Sequence, residues 1–258
     1  MDHSNYIILE SLIRRYDYAG AIELIGKIED VNKNVIKLLY SCKYAINFDF
    51  QSAYYVVSDL LDIEDANVHK RVTSLKDNLK ELIDGRPDAI FSELLENTKI
   101  QLDNRRYIDF LSRVYRIKEA ILKYIFAKNH VDKNRFSFRT EVVSKRMIIK
   151  ILRKKYKIFN PNLSFAISSY ITKYLNKDKR YNTALDVLNS NKMNEMIELR
   201  HECIAGHGFK GVNRKELVKI YGNPYAVIDD FYMVLEKIGV NIRENKYDKI
   251  NGYILELL

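Results

Sequence analysis

Two arginines, two histidines, one cysteine and three glycines fall within LRHECIAGHGFKGVNRKEL, Leu199–Leu217, of a 258-residue chain that has five histidines and nine glycines in all. Such residues can do chemistry on a phosphodiester. A histidine gives or takes a proton near neutral pH. An arginine clamps phosphate through a fixed fork of donors and steadies charge that builds in a transition state. RNA carries its own nucleophile, the 2′-hydroxyl, so an Arg-His pair could serve it with no metal. Arg200 follows the apolar stripe Met193, Met196 and Ile197, which places it near a helix C-terminus. His207 lies seven residues on, and seven steps of about 100° fall only about 20° short of two turns. A continuing helix would therefore put both on one face. A helix ended by Gly206 would leave His207 on a glycine turn within reach. Gly206, Gly208 and Gly211 permit backbone that other residues resist and allow a polymer to approach closely.

Two other readings compete. His201, Cys203 and His207 could bind zinc, but only three ligands are local, and His201 and Cys203 point to different sides of a helix. Alternatively, both histidines cap and fill, with no chemistry at all. The other cysteine, Cys42, is far away in sequence, and neither cysteine has a partner at metal or redox spacing, so two idle thiols are expected. No Gly-rich phosphate loop follows a strand, and neither HExxH nor Gly-x-Ser-x-Gly occurs.

The rest of the chain must position this stretch. Hydrophobic residues make up 47%, with few glycines and three prolines, which argues for a packed, all-α protein. No apolar run approaches the ~18 residues of a membrane span and the N-terminus resembles no signal peptide, so a cytoplasmic protein with no membrane partner is expected. YDYAGAIELI (Tyr16–Ile25) is echoed 32 residues later by FDFQSAYYVV (Phe48–Val57), with Asp17 and Asp49 as candidate N-caps and Ala21 and Ala53 as packing positions. RYNTALDVL, from Arg180, is a weaker third echo. The period lies near that of tetratricopeptide arrays, but only two clear copies exist, so a two-hairpin helical layer is expected.

DGRPDA, Asp84–Ala89, marks the boundary between a helical-hairpin domain at 1–86 and a second domain at 87–258. After it, Ala89–Lys128 reads as one or two long amphipathic helices, with Ile108, Leu111, Val114, Ile117, Ile121, Leu122 and Ile125 near one face. A basic helix follows, with Val142, Val143, Met147, Ile148, Ile151 and Leu152 inward. The net charge of +9 is uneven: Lys128–Arg180 has 15 basic and 3 acidic residues, +12, and the remainder of the chain is −3. A block of this kind favours an anionic partner, usually nucleic acid, by releasing counterions from phosphate. Near the end, Asn213 with Glu216 resembles a capping box, Pro224 is placed at a first helical position, and Asn241–Leu258 reads as a last short helix, with a small hairpin as the alternative.

With Arg200, the polar His201 directly after it, and His207 beyond six residues counted from Arg200, RHECIAGH resembles the signature of the HEPN ribonucleases. Long helices before it and a helical C-terminus after it match the order of a HEPN bundle over about Pro87–Leu258. The N-terminal hairpins look like the helical linker preceding HEPN in the Csm-associated ribonucleases of type III-A CRISPR systems. Those proteins also carry a Rossmann-like sensor of cyclic oligoadenylate, and nothing in this chain reads as one. The chain is then either the effector portion of a longer protein or a different HEPN relative. The resemblance implies a cofactor-free, metal-independent endoribonuclease acting on single-stranded RNA in antiviral defence. It implies in-line 2′-hydroxyl attack, a 2′,3′-cyclic phosphate product, and a two-fold homodimer whose Arg-His sets line one cleft. His207 would handle protons and position the scissile phosphate, Arg200 would contact phosphate, and His201 would orient the site or bind RNA. Proximity adds Lys210 and Arg214 as RNA-binding candidates, and the basic helix adds Arg153, Lys154 and Lys155. The alternative from another class is a noncatalytic helical-repeat adaptor for protein or nucleic acid, motivated by the 32-residue echo.

Overall fold

The computed structural model describes residues 2–29, 31–60, 66–131, 137–243 and 245–258. Among these, 73% are helical, in fourteen α-helices with no sheet. The all-α expectation therefore stands. Among the described residues no helix is long and apolar enough to cross a membrane. Lys133 and Arg135 of the basic block lie outside the described residues.

The chain divides into two units, Met1–Asp84 with Glu244–Leu258, and Gly85–Arg243. The first is built from hairpins: α1 (His3–Arg14) with α2 (Tyr18–Ile25), α3 (Lys33–Ile46) with α4 (Phe50–Ser58), then α5 (Ala66–Ile83). The echoed motif is a physical repeat. Asp17 and Asp49 both cap the following helix, accepting from Gly20 N and Ser52 N. Ala21 and Ala53 are fully buried. The residues before the caps, Tyr16 and Phe48, sit in the left-handed region at φ 59° and 64°, each donating its N–H back to the preceding helix. A non-glycine residue there costs about 1–2 kcal/mol. At Tyr16 the cost is offset by a hydrogen bond from its hydroxyl to Asp248 Oδ1 (2.6 Å) and an edge contact with Tyr247.

Those two partners belong to α14 (Lys246–Glu256), and this corrects the expected domain boundary. The last segment is helical, as its sequence suggests, but it packs with α1 and α3 in the first unit. The reason is chemical. Tyr247 and Ile254 are fully buried, and Asn251 is buried with both ends of its amide used. Its Oδ1 accepts from Tyr18 Oη (2.9 Å), and its Nδ2 donates to the Ile13 carbonyl at the end of α1 (3.0 Å), which also accepts from Tyr16 N.

The second unit holds α6 (Pro87–Asp103), α7 (Tyr107–Lys128), α8 (Lys145–Tyr156), α9 (Leu163–Tyr174), α10 (Lys179–Leu188), α11 (Asn191–Glu202), α12 (Arg214–Tyr221) and α13 (Ala226–Lys237). The Ala89–Lys128 run is two helices, joined by a turn that repeats the hairpin geometry: Arg105 has φ 59°, and Arg106 N donates to Gln101 O at 2.8 Å. At the centre is α7, which packs on α6, α9, α11 and α13. Its stripe Leu111, Val114, Ile117, Ile121, Leu122 and Ile125 is fully buried, which is what an apolar residue every three or four positions predicts. Asn213 and Glu216 form the capping box at the start of α12. Pro224 is displaced from its expected place: α13 starts at Ala226, and the proline lies in the turn before it.

Candidate active site

Helix α11 is fixed from both ends. Ser190 caps its start through a hydrogen bond from Met193 N, and Met193, Met196 and Leu199 face the core. It runs antiparallel to α7, because Tyr115 meets His201 while Lys118, further along α7, meets Asn194 at 3.1 Å. Neither sequence alternative for the helix end holds. The helix stops at Glu202, before Gly206, because Cys203 is extended (φ −97°, ψ 175°) and buried. Its thiol donates to the open Arg200 carbonyl (3.1 Å). Among the described residues no group of three or more His, Cys, Asp or Glu gathers as a metal site.

Beyond Cys203 the chain folds back along the last turn of α11. His207 N and Gly208 N both donate to His201 O, at 3.1 and 3.2 Å, and Lys210 N donates to Glu202 O at 2.9 Å. These bonds satisfy carbonyls that a helix end otherwise leaves open. They also explain two of the three glycines. A Cβ on Gly206 would lie 2.5 Å from His201 Cα, and one on Gly208 would lie 2.0 Å from the Glu202 carbonyl oxygen. None of the three has positive φ, and a Cβ on Gly211 would meet nothing within 4 Å. Gly206 and Gly208 therefore serve close approach of the chain to itself.

The outcome places the Arg-His residues around one helix end. The Arg200 guanidinium lies over the Tyr115 ring, 4.7 Å from its centroid, and Nη1 is 3.4 Å from His201 Nδ1. Arginine only donates, so any hydrogen bond there has Nδ1 as its acceptor. The Arg200 Nε is buried with no hydrogen-bond partner. A charged donor left open in this way is costly. His207 is exposed on the returning loop, and its imidazole makes no hydrogen bond among the described residues. Beside it in sequence, Ile204 and Phe209 stand 70% and 94% exposed.

The outer candidates separate. Lys210 is held between two carboxylates, Glu202 Oε2 at 2.8 Å and Glu216 Oε1 at 3.3 Å, and its ammonium pKa is raised by the hydrogen bond to Glu202 and then that to Glu216. It serves the loop's anchoring first. Arg214 is exposed on the first turn of α12. Arg153 and Lys154 line a groove on α8 with Lys145, Arg146 and Lys150. Lys155 faces elsewhere, over the Tyr156 ring at 5.3 Å. Tyr115 escaped the sequence reading, because it lies one position beyond the buried stripe of α7 and nothing local marks it as the platform for a residue 85 positions later. No protein-family model matches this chain, and no curated protein matches it.

Proposed function

We propose that the chain is an all-α endoribonuclease of HEPN type that cleaves single-stranded RNA without a metal. The observation that carries this reading is the placing of the Arg200 guanidinium, over the Tyr115 ring and beside His201, at the helix end to which the His207 loop is tied. A phosphate is an anion that a guanidinium fork fits well. The exposed His207, pinned through its backbone to the same helix end, supplies the group that can move a proton.

The 2′-hydroxyl attacks the adjacent phosphorus and loses its proton to a base. The bond to the 5′-oxygen breaks, that oxygen takes a proton, and a 2′,3′-cyclic phosphate remains. Arg200 steadies the charge on the non-bridging oxygens as it builds. His207 handles one of the two protons, and in a two-fold dimer the partner's copy of the same site handles the other. His201 holds Arg200 in register. A setting in type III CRISPR antiviral defence follows from the HEPN resemblance alone.

The test is cleavage of a fluorogenic single-stranded RNA by wild type, Arg200→Ala and His207→Ala, with and without EDTA. The expected result is cleavage that ignores EDTA and disappears in both variants, from a protein that elutes as a dimer. Equal rates for His207→Ala and wild type would refute the proposal. One observation favours the adaptor reading for the first unit: the same capped turn recurs at Tyr16–Asp17 and Phe48–Asp49. That reading predicts a monomer without turnover whose partner binding survives loss of Arg200 and His207.

A further inference from the structure

Helix α8 is basic on one face from end to end. Lys145, Arg146, Lys150, Arg153 and Lys154, with Ile149 and Pro161, line an open groove of about 660 Å³. The positions follow i, i+1, i+4, i+5, i+8 and i+9, which is a single helical face. All five cations are exposed, and none forms an ion pair among the described residues, although the chain has nine such pairs elsewhere.

The helix's own electrostatics account for only part of this. Arg153 and Lys154 lie in its last turn, where cations favour the negative end of the dipole. Lys145 and Arg146 occupy the first turn, which has no acidic residue. There the dipole disfavours a cation, and carboxylates are the stabilising choice. Two cations at the wrong end, continuous with two at the right end, make sense as one track for an anion longer than a single phosphate.

Aromatic side chains flank the groove in sequence. Pro161 lines it, Phe159 is 68% exposed two residues before, and Phe165 is 62% exposed four residues after, on the first turn of α9. Phenylalanine offers water nothing, and an exposed phenyl ring is a group on which an unpaired base can stack. An acidic protein would use the cations but not the rings; an anionic membrane could use both, and the vesicle comparison below separates it from a single strand. A duplex hides its bases and would use the cations alone.

We infer that the α8 groove, with Phe159 and Phe165, is a docking strip for single-stranded RNA, separate from the Arg200–His207 site. The choice of RNA over DNA rests on the ribonuclease reading; the strip itself does not. Phosphates contact Lys145, Arg146, Lys150, Arg153 and Lys154, and bases stack on the two rings.

The experiment is fluorescence anisotropy with a 2′-O-methyl single-stranded RNA, which cannot be cleaved by its own 2′-hydroxyl, titrated across salt. Wild type is compared with Lys145→Ala/Arg146→Ala/Lys150→Ala, with Phe159→Ala/Phe165→Ala, and with Arg200→Ala/His207→Ala, each checked by circular dichroism. Each phosphate contact on a single strand adds about −0.7 to the slope of log K against log salt. The triple variant is expected to lose about two units of slope and the phenylalanine variant about tenfold or more in affinity. Unchanged binding in both would overturn the strip. So would equal affinity for a duplex of the same sequence or for phosphatidylserine vesicles, and a DNA strand bound more tightly would overturn the assignment to RNA. Groove-dependent binding by a wild type that cleaves nothing would sink the ribonuclease reading and leave the strip standing.

Discussion

Gly208→Ala is the sharpest test of how the loop holds His207. The added Cβ would sit 2.0 Å from the Glu202 carbonyl oxygen and 2.5 Å from its carbon. Ordinary contact begins near 3.4 Å, so the loop and the helix end must part by about 1.4 Å. Both partners are backbone, and neither can swing aside. The bonds from His207 N and Gly208 N to His201 O and from Lys210 N to Glu202 O, now 2.9–3.2 Å, would stretch beyond useful length. Each is worth roughly 0.5–1.5 kcal/mol net, so a loss of about 1–3 kcal/mol is expected with partial replacement by water. For a protein of this size that lowers Tm on the order of 5 °C. A 1 Å displacement of a catalytic group costs about 10²-fold in rate, so kcat on a fluorogenic RNA should fall by that order. Gly211→Ala is the control, since its Cβ meets nothing, and it should leave both Tm and rate unchanged. If Gly208→Ala melts and cleaves like Gly211→Ala, the close-approach account of these glycines is wrong.

Tyr115→Leu removes the ring under Arg200 and should cut cleavage about 3- to 30-fold, with Tyr115→Phe close to wild type; equal rates for Leu and Phe would show that the ring does not matter. Burial on α7 lowers the Lys118 pKa from 10.5 to about 8, so its folding contribution is fully present only above 10.5 and falls away toward 8. Lys118→Met should therefore stabilise the protein at pH 7 by about 1–3 kcal/mol in urea unfolding, below the roughly 3.4 kcal/mol ceiling of the shift. The gain should shrink between pH 8 and 10.5, and a constant gain would refute this account. His130, whose Nδ1 donates to Phe126 O and whose Nε2 accepts from Tyr156 Oη, has its pKa lowered by burial first, with the Lys155 charge adding to it against the raising effect of the Phe126 bond. Its stability contribution is present above 6.5 and lost as pH falls through the lower folded value. His130→Gln should flatten the loss of stability below pH 6.5, and an unaltered slope would count against it.

Where the sequence was informative, it was because the signal was local. The capping box at Asn213 and Glu216, the aspartate caps at 17 and 49, and the buried stripe of α7 are each decided within a few residues. The failures are long-range. Nothing within Glu244–Leu258 says that Asn251 will close the end of α1, 238 residues away. The end of α11 was misread for a related reason. Glycine marks a stop by default, but Cys203 stops this helix by turning inward to a buried position, which only the surrounding core decides. Gly211 looked equivalent to its two neighbours because composition cannot tell a glycine that admits a carbonyl from one that faces water.

Most local choices in this chain agree with one another: caps are filled, stripes face inward, and even the strained Tyr16 is compensated by its contacts. Against that background two places named in the proposals above bear a local cost. One is the Arg200 Nε, a charged donor buried with no acceptor. The other is the first turn of α8, where Lys145 and Arg146 sit at the helix end that repels them. A sequence selected for folding alone would relieve both, with a neutral side chain at 200 and an acidic one at 145 or 146. On the docking-strip proposal, the cost at α8 is offset by an anion from outside the chain. A phosphodiester strand would supply one such anion per nucleotide along the track, which is why the salt slope of the Lys145→Ala/Arg146→Ala/Lys150→Ala variant decides the proposal.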